Sequence, residues 1–135
     1  MQIGEVAEQT GLSLRTIRYY GEVGLVTPST RSPGGFRLYT PADVERLLLV
    51  KRMKPLDFSL EEMGDLLDIL DRLTGSAAPA EMDELQERLE MYEEAAEARC
   101  TALREQLATA EDFAARLRRA SREAQRRERK EKSEK

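Results

Sequence analysis

From Ala80 to the C-terminus the sequence contains neither proline nor glycine. Helix-forming residues dominate this run through about Arg127, so it is expected to be one long helix. Met82, Leu89, Ala96, Leu103, Ala110 and Leu117 recur every seven residues, and all are apolar. A companion stripe begins at Leu85 and Tyr92 and drifts to Cys100, Leu107 and Ala114. That drift is what a helix of 3.6 residues per turn does against a seven-residue repeat. Residues 80–118 as a helix extend roughly 60 Å at about 1.5 Å per residue. The shorter N-terminal part cannot cover a stripe of that length. A partner helix is required, and a second copy of the chain is the simplest one.

Before this helix, Thr74-Gly75-Ser76-Ala77-Ala78-Pro79 is a break rich in small residues. The reading is a head over 1–73, a linker over 74–79, a dimerisation helix over 80–118, and a charged tail over 119–135. The tail is expected to fray and become disordered, with Glu123–Arg127 and Glu128–Lys132 as weak pairs one turn apart. The alternative is that its arginines bind nucleic acid or a partner.

The head centres on Gly11–Tyr39. Ile3–Gln9 reads as a first helix with Ile3, Val6 and Ala7 on one face. Gly11 suits the left-handed position that closes it. Ser13 can cap a second helix, and Leu12 and Ile17 can staple it. Leu14 and Ile17 are expected to face inward, with Arg15, Thr16, Arg18 and Tyr19 mostly on the other side; Tyr20 is more inward than Tyr19. Two helices so joined form a helix-turn-helix, whose second helix enters the DNA major groove. Gly24-Leu25-Val26 is expected to begin the first strand of a hairpin. Pro33-Gly34-Gly35 makes its turn, and Phe36-Arg37-Leu38-Tyr39 alternates as its second strand. A recognition helix followed by a basic hairpin is a winged helix. Arginine suits phosphate or guanine, and tyrosine suits phosphate oxygens. Phe36 is either a small core anchor or a contact to sugar and phosphate. Tyr39 either reaches DNA or packs on Val44.

Thr40-Pro41-Ala42-Asp43 opens a third helix whose Val44, Leu47, Leu48 and Val50 are expected inside, and Pro55 ends it. Ser59-Leu60-Glu61-Glu62 is a capping box for a fourth, with Leu60, Met63, Leu67 and Leu70 on one face. The net charge of −4 is unevenly spread: +2 over 1–58, −12 over 59–112 and +6 over 113–135. An acidic chain argues against indiscriminate coating of DNA, though not against a local basic surface. The sequence has no apolar run able to span a membrane and no signal peptide, and its single cysteine, Cys100, fits a cytoplasmic, reduced setting. The absence of histidine removes the commonest general base and zinc ligand. No glycine-rich phosphate loop or activated nucleophile is present, so the chain is not expected to be an enzyme, and neither metal nor cofactor is implied.

Ile3-Gly4-Glu5-Val6-Ala7, Gly11-Leu12-Ser13, Thr16-Ile17-Arg18-Tyr19-Tyr20, Gly24-Leu25, Gly35-Phe36-Arg37-Leu38-Tyr39 and Phe58-Ser59-Leu60-Glu61-Glu62 together resemble the N-terminal domain of MerR-type transcriptional regulators. Gly21 departs from the family's usual acidic residue, and Pro55 interrupts the segment before Phe58. The resemblance implies a mainly α fold: a winged helix-turn-helix followed by a long antiparallel coiled-coil dimerisation helix. It implies a homodimer on double-stranded promoter DNA with a near-palindromic operator. It also implies bending and untwisting of the spacer to the benefit of RNA polymerase. The DNA-binding set it suggests is Arg15, Thr16, Arg18, Tyr19, Tyr20, Arg31, Phe36, Arg37 and Tyr39. The metal sensors of that family carry cysteines near the start of the dimer helix and in a loop after it; this chain has none there. Cys100 is read as a small buried hydrophobe, and the effector stays undefined. The other classes weighed are an architectural DNA-binding protein and a coiled-coil adaptor whose head binds protein.

Overall fold

The structure, a computed structural model, describes residues 1–134 apart from the Ser76 side chain. Lys135, the last residue of the expected tail, lies outside the described residues. Chain order is α1 (Ile3–Thr10), α2 (Leu14–Glu22), β1 (Thr30–Arg31), β2 (Arg37–Leu38), α3 (Pro41–Met53), α4 (Leu60–Asp71) and α5 (Pro79–Glu134). A 3-10 turn over Lys54–Leu56 follows α3, and a π turn over Arg72–Ser76 follows α4. Two compact units result, Met1–Glu93 and a second from Glu94 onward.

The helix-turn-helix is made by local chemistry. Gly11 closes α1 with φ of 72°, its N–H donating to the Ala7 carbonyl. The Lys51 ammonium of α3 donates to the Thr10 carbonyl at 2.7 Å, placing a cation at the negative end of α1. The Ser13 hydroxyl accepts the Thr16 N–H and starts α2. Ile17 and Tyr20 turn that helix inward, whereas Leu14, at its first position, is 41% exposed, contrary to expectation.

The segment Gly24-Leu25-Val26 is not a strand. The N–H groups of Leu25 and Val26 both donate to the Tyr20 carbonyl, so they are spent on closing α2. Gly24, with φ of 75°, makes that reversal. The strand begins instead at Thr30, paired antiparallel with Leu38, while Arg31 pairs with Arg37. The turn closes through the Gly35 N–H on the Ser32 carbonyl.

The core of the first unit is built on Val6, Ile17, Leu47, Val50, Leu67 and Ile69, all essentially inaccessible. Ile69 was not anticipated; Leu48 and Leu60, anticipated as inward, are each 37% exposed. Both capping boxes form, Thr40 with Asp43 and Ser59 with Glu62. The Asp43 carboxylate does more than cap. One of its oxygens accepts the Thr40 N–H at 2.8 Å, the Ser29 hydroxyl at 2.7 Å and the Ser29 N–H at 3.1 Å. Burial pushes this carboxyl up, but hydrogen bonds from Thr40 and Ser29 outweigh it and hold the group below its ordinary value.

The break before α5 is shorter than expected. Helical turns persist through Ser76, and only Ala77 and Ala78 separate them from α5. At its other end α5 stays helical through Glu134, well past residue 118 and past the expected fraying point. No described helix is long and apolar enough to cross a membrane.

Replacing Asp43 by alanine should cost about 2 kcal/mol in urea denaturation, from the lost cap and the severed ties to Ser29. Because the folded carboxyl is depressed, its contribution is complete above the unfolded value near 3.8. It is lost as pH falls through the folded value. The Asp43→Ala protein should therefore show a flatter acid limb than the parent.

Candidate nucleic-acid interface

Helix α2 presents Arg15, Arg18 and Tyr19 to solvent. Thr16 is half-buried, and its hydroxyl oxygen accepts from the Ser13 hydroxyl at 2.8 Å, so it is partly committed to the cap. Tyr20 and Tyr39, both suggested as DNA contacts, are only 4% and 6% exposed. They are corrected to core residues: each tyrosine ring buries too much apolar surface in the head to turn outward. Burial is the main reason that both phenols titrate above their ordinary value. Tyr39 also exchanges backbone hydrogen bonds with Met1, at 2.7 and 2.8 Å, which fixes the end of β2.

On the hairpin, Arg31 and Arg37 are direct cross-strand partners and both are exposed. Neither is ion-paired among the described residues. Like charges placed opposite each other on a ladder destabilise it unless an anion lies between them. Phe36 beside them is 70% exposed, which settles it as a surface side chain rather than a core anchor.

Two grooves flank α2. One, of about 550 Å³, lies between the helix and the hairpin and is lined by Arg18, Glu22, Pro28, Phe36, Arg37 and Tyr39, among others. The other, of about 410 Å³, brings Arg15, Thr16 and Tyr19 together with Lys54 and Phe58. Lys54 is a candidate that sequence reasoning missed. The cluster Lys51, Arg52 and Lys54 was its signal, but only the 3-10 turn after α3 brings Lys54 beside α2. The arrangement offers cations on both rims of an exposed helix. That suits two phosphate backbones on either side of a groove.

The dimerisation set divides. Leu85 is 2% exposed and is covered within the first unit. The Tyr92 ring lies 6.1 Å from the Phe58 ring at a tilt of 57°, and its hydroxyl donates to an Asp65 oxygen at 2.7 Å; Arg88 pairs with the other oxygen. Leu85 is therefore corrected from a dimer contact to a residue that seats α5 on its own head, and Tyr92, half-buried, takes part in the same seating. Met82, Leu89, Ala96 and Cys100 are half-buried. Leu103, Leu107, Ala110 and Leu117 are exposed, and so is Phe113, at 62%, which was not singled out.

A profile of the MerR HTH regulatory protein family matches residues 1–69, half of the chain. The chain belongs to the MerR family. It is 42% identical over 71 residues to the transcriptional regulator CueR of Salmonella typhi, covering 53% of this chain and 51% of that one. The mercuric resistance operon regulatory protein of Bacillus cereus matches at 42% over 71 residues, covering 53% and 54%. The chain thus spans about half the length of these curated relatives. A MerR family regulator of Listeria monocytogenes superposes with a TM-score of 0.64 at 25% identity, over 82% of this chain and 80% of that one. HiNmlR, a family member lacking the sensor domain and solved bound to promoter DNA, superposes at 0.68 over 88% and 90%. At 22% identity that likeness shows the shared fold.

The Tyr92 phenol is pushed up to about 12, by burial first and then by its hydrogen bond to Asp65. The fold favours the protonated ring, so its contribution is complete below pH 10 and lost as pH rises toward 12. Replacement by phenylalanine should cost about 1 kcal/mol at neutral pH. It should also reduce the alkaline loss of stability, read by circular dichroism.

Proposed function

We propose that this MerR-family protein is a sequence-specific, DNA-binding transcriptional regulator acting as a homodimer on a near-palindromic promoter operator. The observation that carries the reading is the Arg31–Arg37 pair. Two exposed like charges are held opposite each other on the hairpin, and one of them, Arg37, lines a groove together with Arg18. A phosphate there relieves their repulsion and orients α2 toward base edges. Arg15, Arg18 and Tyr19 on α2, with Lys54 on its far rim, complete the contact set. Thr16 has a lesser part, and Phe36 lies against sugar and phosphate. A relative of the same fold was solved on promoter DNA, which supports this class of partner.

The dimer forms through α5 in antiparallel pairing, by family likeness. Leu103 and Leu107 are 44% and 58% exposed in the single chain, and burying such side chains is favourable. Each head takes one half-site, and the pair bends and untwists the spacer so that RNA polymerase engages both promoter elements. Smooth bending of such a site costs about 1–6 kcal/mol, which the phosphate contacts must offset. The protein is read as cytoplasmic, with no cofactor in the DNA-binding step. An architectural DNA-binding protein is the second reading, and footprinting separates them: a regulator protects few sites, an architectural protein many.

Arg37→Ala should lower the magnitude of the salt slope of operator binding by about one and leave sequence preference nearly intact. One base pair inserted at or deleted from the operator centre should change transcription more than occupancy. Transcription that simply follows occupancy in both cases defeats the reshaping mechanism. Leu103→Asp with Leu107→Asp should yield a monomer in sedimentation velocity, since each places a charge in a dry seam. A native chain that is monomeric at micromolar concentration defeats the dimer.

A further inference from the structure

Charge is segregated along α5. Between Glu81 and Glu97 the helix carries eight carboxylates and one cation, Arg88, which is already paired with Asp65 of its own head. Between Arg116 and Lys132 it carries nine cations and three carboxylates. All eight carboxylates of the first segment and all nine cations of the second are exposed. The second segment is helical throughout, so its charges occupy fixed positions along a rod. Two such helices running the same way set like charge against like at both ends. Running opposite ways, they set a net −7 against a net +6 at both ends.

We propose that 116–132 is the outer part of the dimer interface and lies along 81–97 of a second copy. This rests on the dimer proposed above and assigns it a register. The acidic segment is centred on residue 89 and the basic one on residue 124. Matching them puts the two-fold axis between residues 106 and 107. Exposed Leu103, Leu107 and Ala110 then lie at the axis, where both helices contribute. The apolar centre supplies the attraction, and the charged ends select direction and register, as flanking charges do in coiled coils.

Pairing confined to 80–118 would instead put the axis near Arg99 and Cys100. The two registers separate sharply at Cys100. Its two copies would be displaced along the axis by about 20 Å in the charge-matched register and by about 3 Å in the other. A disulfide needs Cα atoms within about 7 Å.

The test uses the full chain and its homodimer. Reversing Arg129→Glu, Lys130→Glu and Lys132→Glu together should raise the dimer dissociation constant about tenfold at low salt, the effect of three surface charge contacts. Adding Glu81→Arg, Asp83→Arg and Glu84→Arg to the same chain should restore it. Under mild oxidation Leu107→Cys in a Cys100→Ala background should cross-link, while native Cys100 should not. Dimerisation indifferent to the reversals overturns the proposal. So does efficient cross-linking at Cys100 with none at the engineered position. If the reversals weaken operator binding and leave the dimer constant unchanged, the basic end contacts DNA, and the proposal fails in favour of that role. A wild-type chain that sediments as a monomer defeats the dimer itself, an outcome distinct from a dimer with charge-insensitive ends.

Discussion

One carboxylate oxygen holds the wing in place. Asp43 accepts three hydrogen bonds on a single atom, two from Ser29 and one from Thr40. The Thr40 bond belongs to the cap of α3, and the Ser29 bonds clamp the residue just before β1. A hairpin of two paired residues per strand has too little area to stabilise itself in water. It stands because its two roots are anchored, by Asp43 at Ser29 and by the Met1–Tyr39 backbone pair at the end of β2. Everything the wing presents, including two arginines that repel each other, depends on those anchors.

The recognition helix is held by different means. Its inward side is Ile17 and Tyr20, packed into a core that also takes residues from α1, α3 and α4. Its outward side is bounded by two grooves whose opposite walls come from the wing and from the turn after α3. The cations on each rim of this helix come from different parts of the sequence. This is how a chain with a net charge of −4 keeps a local surface fit for phosphate.

Asp65 links the head to the long helix. It receives Arg88 and the Tyr92 hydroxyl from α5 while standing on α4, and the Phe58 ring closes the contact. The first turns of α5 thereby belong to the head, and the apolar stripe is divided. Leu85 is covered within one chain, Met82, Leu89 and Ala96 stay half-buried, and the later residues are exposed.

Local interactions reach only three or four residues, and the features they set were legible in the sequence. Ser13, Thr40 and Ser59 cap helices, Gly11 ends one, and the absence of proline and glycine after Pro79 allows a single long helix. The arginines of α2 and the wing could be picked out because charged side chains stay in water wherever the chain goes. Tertiary structure alone decided which apolar and aromatic residues are covered. Tyr19 and Tyr20 are neighbours of one type, yet only Tyr20 turns toward the core. Tyr92 fits a dimer stripe as well as it fits Phe58, and only the docking of α5 on α4 settles its partner. Gly24-Leu25-Val26 has a strand's composition, but its N–H groups were taken by the Tyr20 carbonyl. For the tyrosines the competing partner lies on another element, and the choice is a difference in burial that local sequence does not encode; for Gly24-Leu25-Val26 it is a hydrogen bond to the end of α2.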